Sequence, residues 1–152
     1  MPKGKPLTED QLAMILQACT DFARQMIEEQ GGFYPFGARV LPDGAIDFFQ
    51  PVPETDPVDV KALYQETQSK LVRLAWAGEI LGAAVVANAD LPEGKVEGGF
   101  RDAIKVYLDA PGFCRMVYQP YRLVLDDLPG KLGAVETGKM FAVEAQQAIF
   151  AG

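Results

Sequence analysis

Residues 38–48 admit few structures other than a tight β-hairpin. Leu41-Pro42-Asp43-Gly44-Ala45 reads as a type I turn, with Pro42 at the first central position and Gly44 supplying the left-handed residue. That three-residue loop sets Val40 opposite Ile46, Ala38 opposite Phe48 and Arg39 opposite Asp47. The first two pairs are apolar and share one face, while the third joins opposite charges on the other. Turn chemistry and side-chain pattern agree, so the fold must be built on a sheet.

The flanking segments supply helices to pack on it. Thr8 and Gln11 have capping-box spacing, and Leu12, Ile15, Leu16, Cys19, Phe22, Ala23, Met26 and Ile27 recur on one helical face until Gly31-Gly32 stops it. A second helix is expected from Asp56 as N-cap and Pro57 at the first helical position. Its stripe is Val60, Leu63, Tyr64, Thr67, Leu71, Leu74 and Ala75, widened by Val72 and Trp76, and it ends near Gly78. Leu81 to Ala87 is a continuous apolar run, the pattern of a central strand buried on both faces. Pro92, Gly94, Gly98 and Gly99 make a long connection.

Ala103 to Asp109 then alternates, with Ile104, Val106 and Leu108 on one face and Lys105, Tyr107 and Asp109 on the other. Phe113 to Gln119 returns across Ala110-Pro111-Gly112. A three-residue loop there faces Leu108 with Cys114, Val106 with Met116 and Ile104 with Tyr118. A two-residue loop would bring Arg115 and Gln119 onto the Ile104 face, so the burial pattern favours the longer one. Leu128-Pro129-Gly130 is a break, and Phe141, Ala145, Ala148 and Ile149 fit a short closing helix.

The expectation is one α+β domain over residues 1–152, flexible at 1–6 and least regular in pattern at 128–152. A single antiparallel sheet of about five strands carries the helices, in the order α-ββ-α-βββ-α. This order matches roadblock-like and profilin-like domains, whose sheet order is 2-1-5-4-3. The analogy is topological and carries no activity.

Gln30-Gly31-Gly32-Phe33-Tyr34-Pro35-Phe36-Gly37-Ala38 resembles the hairpin entry of a group of small uncharacterised bacterial proteins. Asp102-Ala103-Ile104-Lys105-Val106-Tyr107-Leu108, continuing to Gln119-Pro120-Tyr121, is similar to a strand pair in that group that ends in Pro-Tyr. The resemblance implies a fold and brings no assigned activity. Read from the residues, Phe33 to Phe36 plug the end of the core beneath the first helix; the sharper alternative makes Tyr34 and Phe36 a peptide-docking lip.

Chemistry is bounded by what is missing. The 152 residues contain no histidine, which removes histidine-based nucleophile systems, acid–base pairs and metal ligands. Lys plus Arg number 14 against 21 Asp plus Glu, a net charge of −7 that argues against nucleic acid as a partner. Cys19 and Cys114 read as small buried hydrophobes in a reducing compartment. With no apolar segment behind Met1-Pro2-Lys3 and none long enough to span a bilayer, a cytoplasmic protein without membrane contact is expected. Asp126-Asp127, Glu54 with Asp56, and Asp90 with Glu93 read as solvated loop charges and caps. No cofactor, metal or catalytic residue is assigned.

Arg115, Tyr107, Lys105, Tyr118, Tyr121 and Arg122 form the one cluster of interest, with Tyr107 and Arg115 expected as cross-strand neighbours on an outer sheet face. The candidate interface or ligand face is Arg39, Asp47, Phe49, Lys105, Tyr107, Arg115 and Val117, with Phe113 at its margin, a mixture of aromatic residues and arginine that interfaces favour. The leading expectation is a non-enzymatic protein-interaction module, homodimeric or bound to another protein. The alternatives are a small-molecule-binding protein or a histidine-independent enzyme, and an acidic immunity-type inhibitor.

Overall fold

The computed structural model describes residues 6–91 and 98–151. Residues 1–5 and most of the connection expected around Pro92 and Gly94 lie outside them. Helix α1 spans Glu9–Gln30, capped by the reciprocal Thr8–Gln11 box and closed by Gly31 at φ 86°. Strands β1 (Phe36–Val40) and β2 (Ile46–Phe49) follow, paired in the expected register. Gly44 sits at φ 90° in the turn, and Arg39 Nη2 lies 2.7 Å from Asp47 Oδ2. Hydrogen bonding to Arg39 holds the Asp47 carboxyl below the usual aspartate range.

Helix α2 spans Val60–Trp76 and starts three residues later than Pro57 suggests. Its N-cap is Asp59, whose Oδ1 accepts from the Ala62 N–H, which sets Leu63, Thr67, Leu71 and Ala75 in one buried row. Trp76 is exposed and does not extend that row.

Strands β3 (Gly82–Asp90), β4 (Asp102–Ala110), β5 (Phe113–Leu128), β6 (Lys131–Thr137) and β7 (Phe141–Glu144) complete a single antiparallel sheet. The α+β class and the single sheet therefore hold, with seven strands among the described residues. The order is β2-β1-β3-β4-β5-β6, with β7 beside β5 on the edge that β6 also uses. This replaces the order 2-1-5-4-3: β1 pairs with β3, not with the fifth strand. The reason is β3 itself, whose Ala83 and Val85 point to one side and Ala84 and Val86 to the other, all fully buried. Such a strand belongs inside a sheet, and the order 2-1-5-4-3 would leave it at an edge.

The two helices cover opposite faces. On the α1 side lie Phe36, Ala38, Ala84, Val86, Val106, Leu108 and Val117. On the α2 side lie Ala83, Val85, Tyr107 and Cys114, under Leu71, Ala75, Ile149 and Phe150. The expected closing helix is absent. Residues 141–144 pair as β7, and residues 145–150 cross the α2 face as an irregular strap.

The β4–β5 turn also differs from expectation. Ala110 pairs with Phe113, so the loop is the two residues Pro111-Gly112, with Gly112 at φ 75°. Proline followed by glycine at positive φ is type II turn chemistry, and it overrides the burial pattern. It can do so because the α1 side of β5 is incompletely covered. Arg115 lays its guanidinium 4.9 Å from the Phe113 ring centre, and Gln119 Nε2 donates to the Gly138 carbonyl.

The outer edge of β6 is guarded. Glu28 of α1 reaches over it, and its Oε2 accepts from the Val135 N–H at 2.8 Å. That bond, helped by Lys131, lowers the Glu28 pKa. A depressed carboxyl contributes fully above its unfolded value of about 4.3 and loses its share as pH falls through the folded value. Glu28→Gln is thus expected to flatten the acid limb of stability, read from urea midpoints across the carboxylate range. An unchanged slope would mean that this bond is not made in solution.

Candidate functional site

The residues expected on one outer face divide between the two sides of the sheet. Arg39, Asp47, Phe49, Lys105 and Tyr107 lie on the α2 side, whereas Arg115 and Val117 lie on the α1 side. The two-residue turn places Leu108 opposite Arg115 and Tyr107 opposite Met116. Tyr107 and Arg115 are therefore not cross-strand neighbours, and their expected adjacency is corrected. Tyr107 is 6% exposed and Val117 5%, so each belongs to its own layer of core.

The α2 face is not an open face at its centre. The Phe49 ring lies across Gly37, where a β-carbon would come within 2.5 Å of it, and Lys70 of α2 places its ammonium 4.3 Å from the ring centre. The strap covers the other half. Asp109 is fully buried, and its Oδ2 accepts from the N–H groups of Ala148, Ile149 and Phe150 at 3.1, 2.8 and 3.4 Å. Gln147 Nε2 donates to Oδ1, and the Ala148 N–H also donates to the Tyr107 hydroxyl. Burial pushes the Tyr107 hydroxyl pKa far up, so it stays protonated and can donate to the Gln146 carbonyl. Tyr107 and Asp109 anchor the chain's own tail. Nothing in the alternation of 103–109 signals this, since the tail's approach is a tertiary event.

Among the described residues, two open regions bear on binding. The first is a groove of about 360 Å³ on the α1 side, walled by Leu12 and Leu16 of α1, Phe113, Arg115 and Val117 of β5, and Met140 beside β7. Beside it, β7 is an edge strand whose Val143 is 44% exposed. The second is a cleft of about 450 Å³ below the C-terminus of α1, bounded by Met26, Gln30, Phe33, Tyr34 and Gln50. Gln50 Nε2 donates to the Tyr34 carbonyl there. Tyr34 is exposed at the rim, while Phe36 is fully buried against Phe22, Phe33 and Phe48. Phe36 is thus a core plug and no part of a docking lip.

The remaining members of the sequence cluster also separate. Tyr121 is buried on the α1 side, its hydroxyl bonded to Asn88 Oδ1. Arg122 pairs with Glu136 at 2.7 Å and covers the Phe100 ring. Both cysteines are buried free thiols, and burial pushes Cys19 up to about 12. Among the described residues, no group of three or more Cys, Asp or Glu side chains is placed to hold a metal ion. No helix among the described residues is long and apolar enough to cross a membrane. No family model, no curated protein and no solved structure matches the chain.

Proposed function

We propose that the protein is a non-enzymatic interaction module that self-associates, with β7 of one chain pairing antiparallel to β7 of a second copy. The observation that carries this reading is the unguarded edge at β7. Glu28 blocks β6, and β2 at the far edge runs into Pro51-Val52-Pro53, which cannot extend a ladder. No side chain among the described residues hydrogen-bonds to the backbone of Ala142, Val143 or Glu144. An edge strand with free backbone groups beside an apolar groove is a template for strand addition.

A second copy fits this edge because the strand is self-complementary. A two-fold axis through Ala142 sets the small residue on its own mate and Phe141 opposite Val143, an aromatic–β-branched pair made twice. The same axis keeps both α1 helices on one side, so the two grooves face each other. A stable dimer would bury at least about 1,000 Å² in total.

The test is mass by light scattering during size exclusion at micromolar concentration. The wild type is expected as a dimer. Ala142→Lys, at an exposed position, is expected to give a folded monomer, because it sets two like charges opposite each other with Arg115 on the same face. A monomeric wild type would overturn self-association, and an unaffected dimer would move the interface elsewhere.

A further inference from the structure

We propose that Lys105, Tyr64 and Tyr118 form a binding site for the carboxylate of a small organic acid, at the margin of the α2 face. The three side chains come from three elements. Lys105 and Tyr118 are directly opposite each other across β4 and β5. Tyr64 reaches the same place from α2, with the Lys105 Nζ 5.1 Å from its ring centre. Burial, with a smaller contribution from Tyr118, pushes the Tyr64 hydroxyl pKa up to about 12, so it stays protonated.

The cluster offers three donor groups and carries no negative charge. The ammonium lies over the Tyr64 ring and on the strand position opposite Tyr118, and among the described residues neither it nor either phenol hydroxyl donates a hydrogen bond to the chain. Among the described residues, no carboxylate lies within ion-pair distance of Lys105, in a protein that carries 21 acidic residues against 14 basic ones. Its environment is half-buried, and desolvation alone lowers its pKa. A half-desolvated cation with two unused hydroxyls beside it is a site short of one anion.

The donor set selects the kind of anion. One positive charge with two neutral donors matches a monoanion with two oxygens. A phosphate dianion would keep an uncompensated charge in a chain of net charge −7. The Tyr118 ring is stacked on Phe141 at 5.1 Å between centres and 18° between planes, a flat apolar wall against which the body of the acid can lie. Lys105 and Tyr64 belong to the monomer's own packing, and only the Phe141 part of the wall is shared with the proposed β7 pairing.

The test uses the full chain titrated with benzoate, acetate and inorganic phosphate at constant ionic strength, followed by NMR shifts of the Lys105 side chain and the tyrosine rings. Saturable shifts with benzoate are expected, weaker with acetate and weakest with phosphate. Lys105→Met is expected to weaken benzoate binding about tenfold or more, and Tyr64→Phe or Tyr118→Phe about two- to tenfold, the worth of one hydrogen bond. Urea midpoints report whether each variant is folded. Tyr118→Phe removes a single partly exposed hydroxyl and keeps the test valid if Lys105→Met does not fold. The absence of saturation with both carboxylates, binding unchanged in the folded variants, or phosphate bound in preference would each overturn the proposal.

Discussion

Asp109→Ala is expected to cost about 3–5 kcal/mol, as removal of one partner from a buried polar network does. The carboxyl is fully buried and accepts from three successive backbone N–H groups of the strap and from Gln147. Alanine would leave those donors facing a void. The strap would then detach, and with it the apolar cover that Ile149 and Phe150 place over Leu71, Ile80 and Ala83. This gives a diagnostic beyond the magnitude. If detachment is the mechanism, Ile149→Ala costs little more once Asp109→Ala is present, so a double-mutant cycle in urea is strongly non-additive. Additive losses would mean that the strap stays in place and that Asp109 acts locally.

Phe36→Ala is expected to cost about 3–5 kcal/mol, the usual loss for a large aromatic cavity. The ring is fully buried, with centres 5.0 Å from Phe22, 5.7 Å from Phe33 and 6.0 Å from Phe48. It joins α1, the segment that enters β1, and β2, so the cavity cannot close by the shift of one element. The edge-on attraction between these rings disappears as well, beyond the loss of buried apolar area. A thermal or urea measurement showing a loss below about 1 kcal/mol would mean that this cluster repacks freely. Tyr34→Ala, two residues away and exposed, is the matched control and should change stability little.

The face of Tyr107 and Arg115 shows how far the sequence can be read. Alternation places Lys105, Tyr107 and Asp109 on one side of β4, and that grouping holds. The divergence enters at Pro111-Gly112, where a one-residue change in loop length moves every side chain of β5 to the opposite face. Burial pattern favours one register and turn chemistry the other. The pattern fails because Arg115 and Gln119 sit at the margin of the α1 layer, where a polar side chain costs little.

The anion cluster is half legible. Lys105 and Tyr118 stand out in the sequence, but Tyr64 lies 41 positions away from Lys105 in what reads as a helix stripe. Only the docking of α2 on the sheet brings its ring under the ammonium. The tail has a helical spacing over Phe141, Ala145, Ala148 and Ile149 and forms no helix. Periodicity is a statement about a segment alone, and here the free edge of β5 and the buried Asp109 carboxyl offer its backbone better partners than its own turns.

The sequence by itself determined the elements whose signals are local: the Thr8–Gln11 cap and Gly31 stop of α1, the β1–β2 hairpin with its Arg39–Asp47 pair, and the two-sided burial of β3. Each depends on residues within a few positions of one another, where cap and turn energies are decided by chemistry at hand. Tertiary structure alone decided the strand order, the placing of the helices on opposite faces, the edge strand β7 and the fate of the tail. Those outcomes depend on which distant surface is left uncovered once the rest has packed, a quantity that no short window of sequence contains.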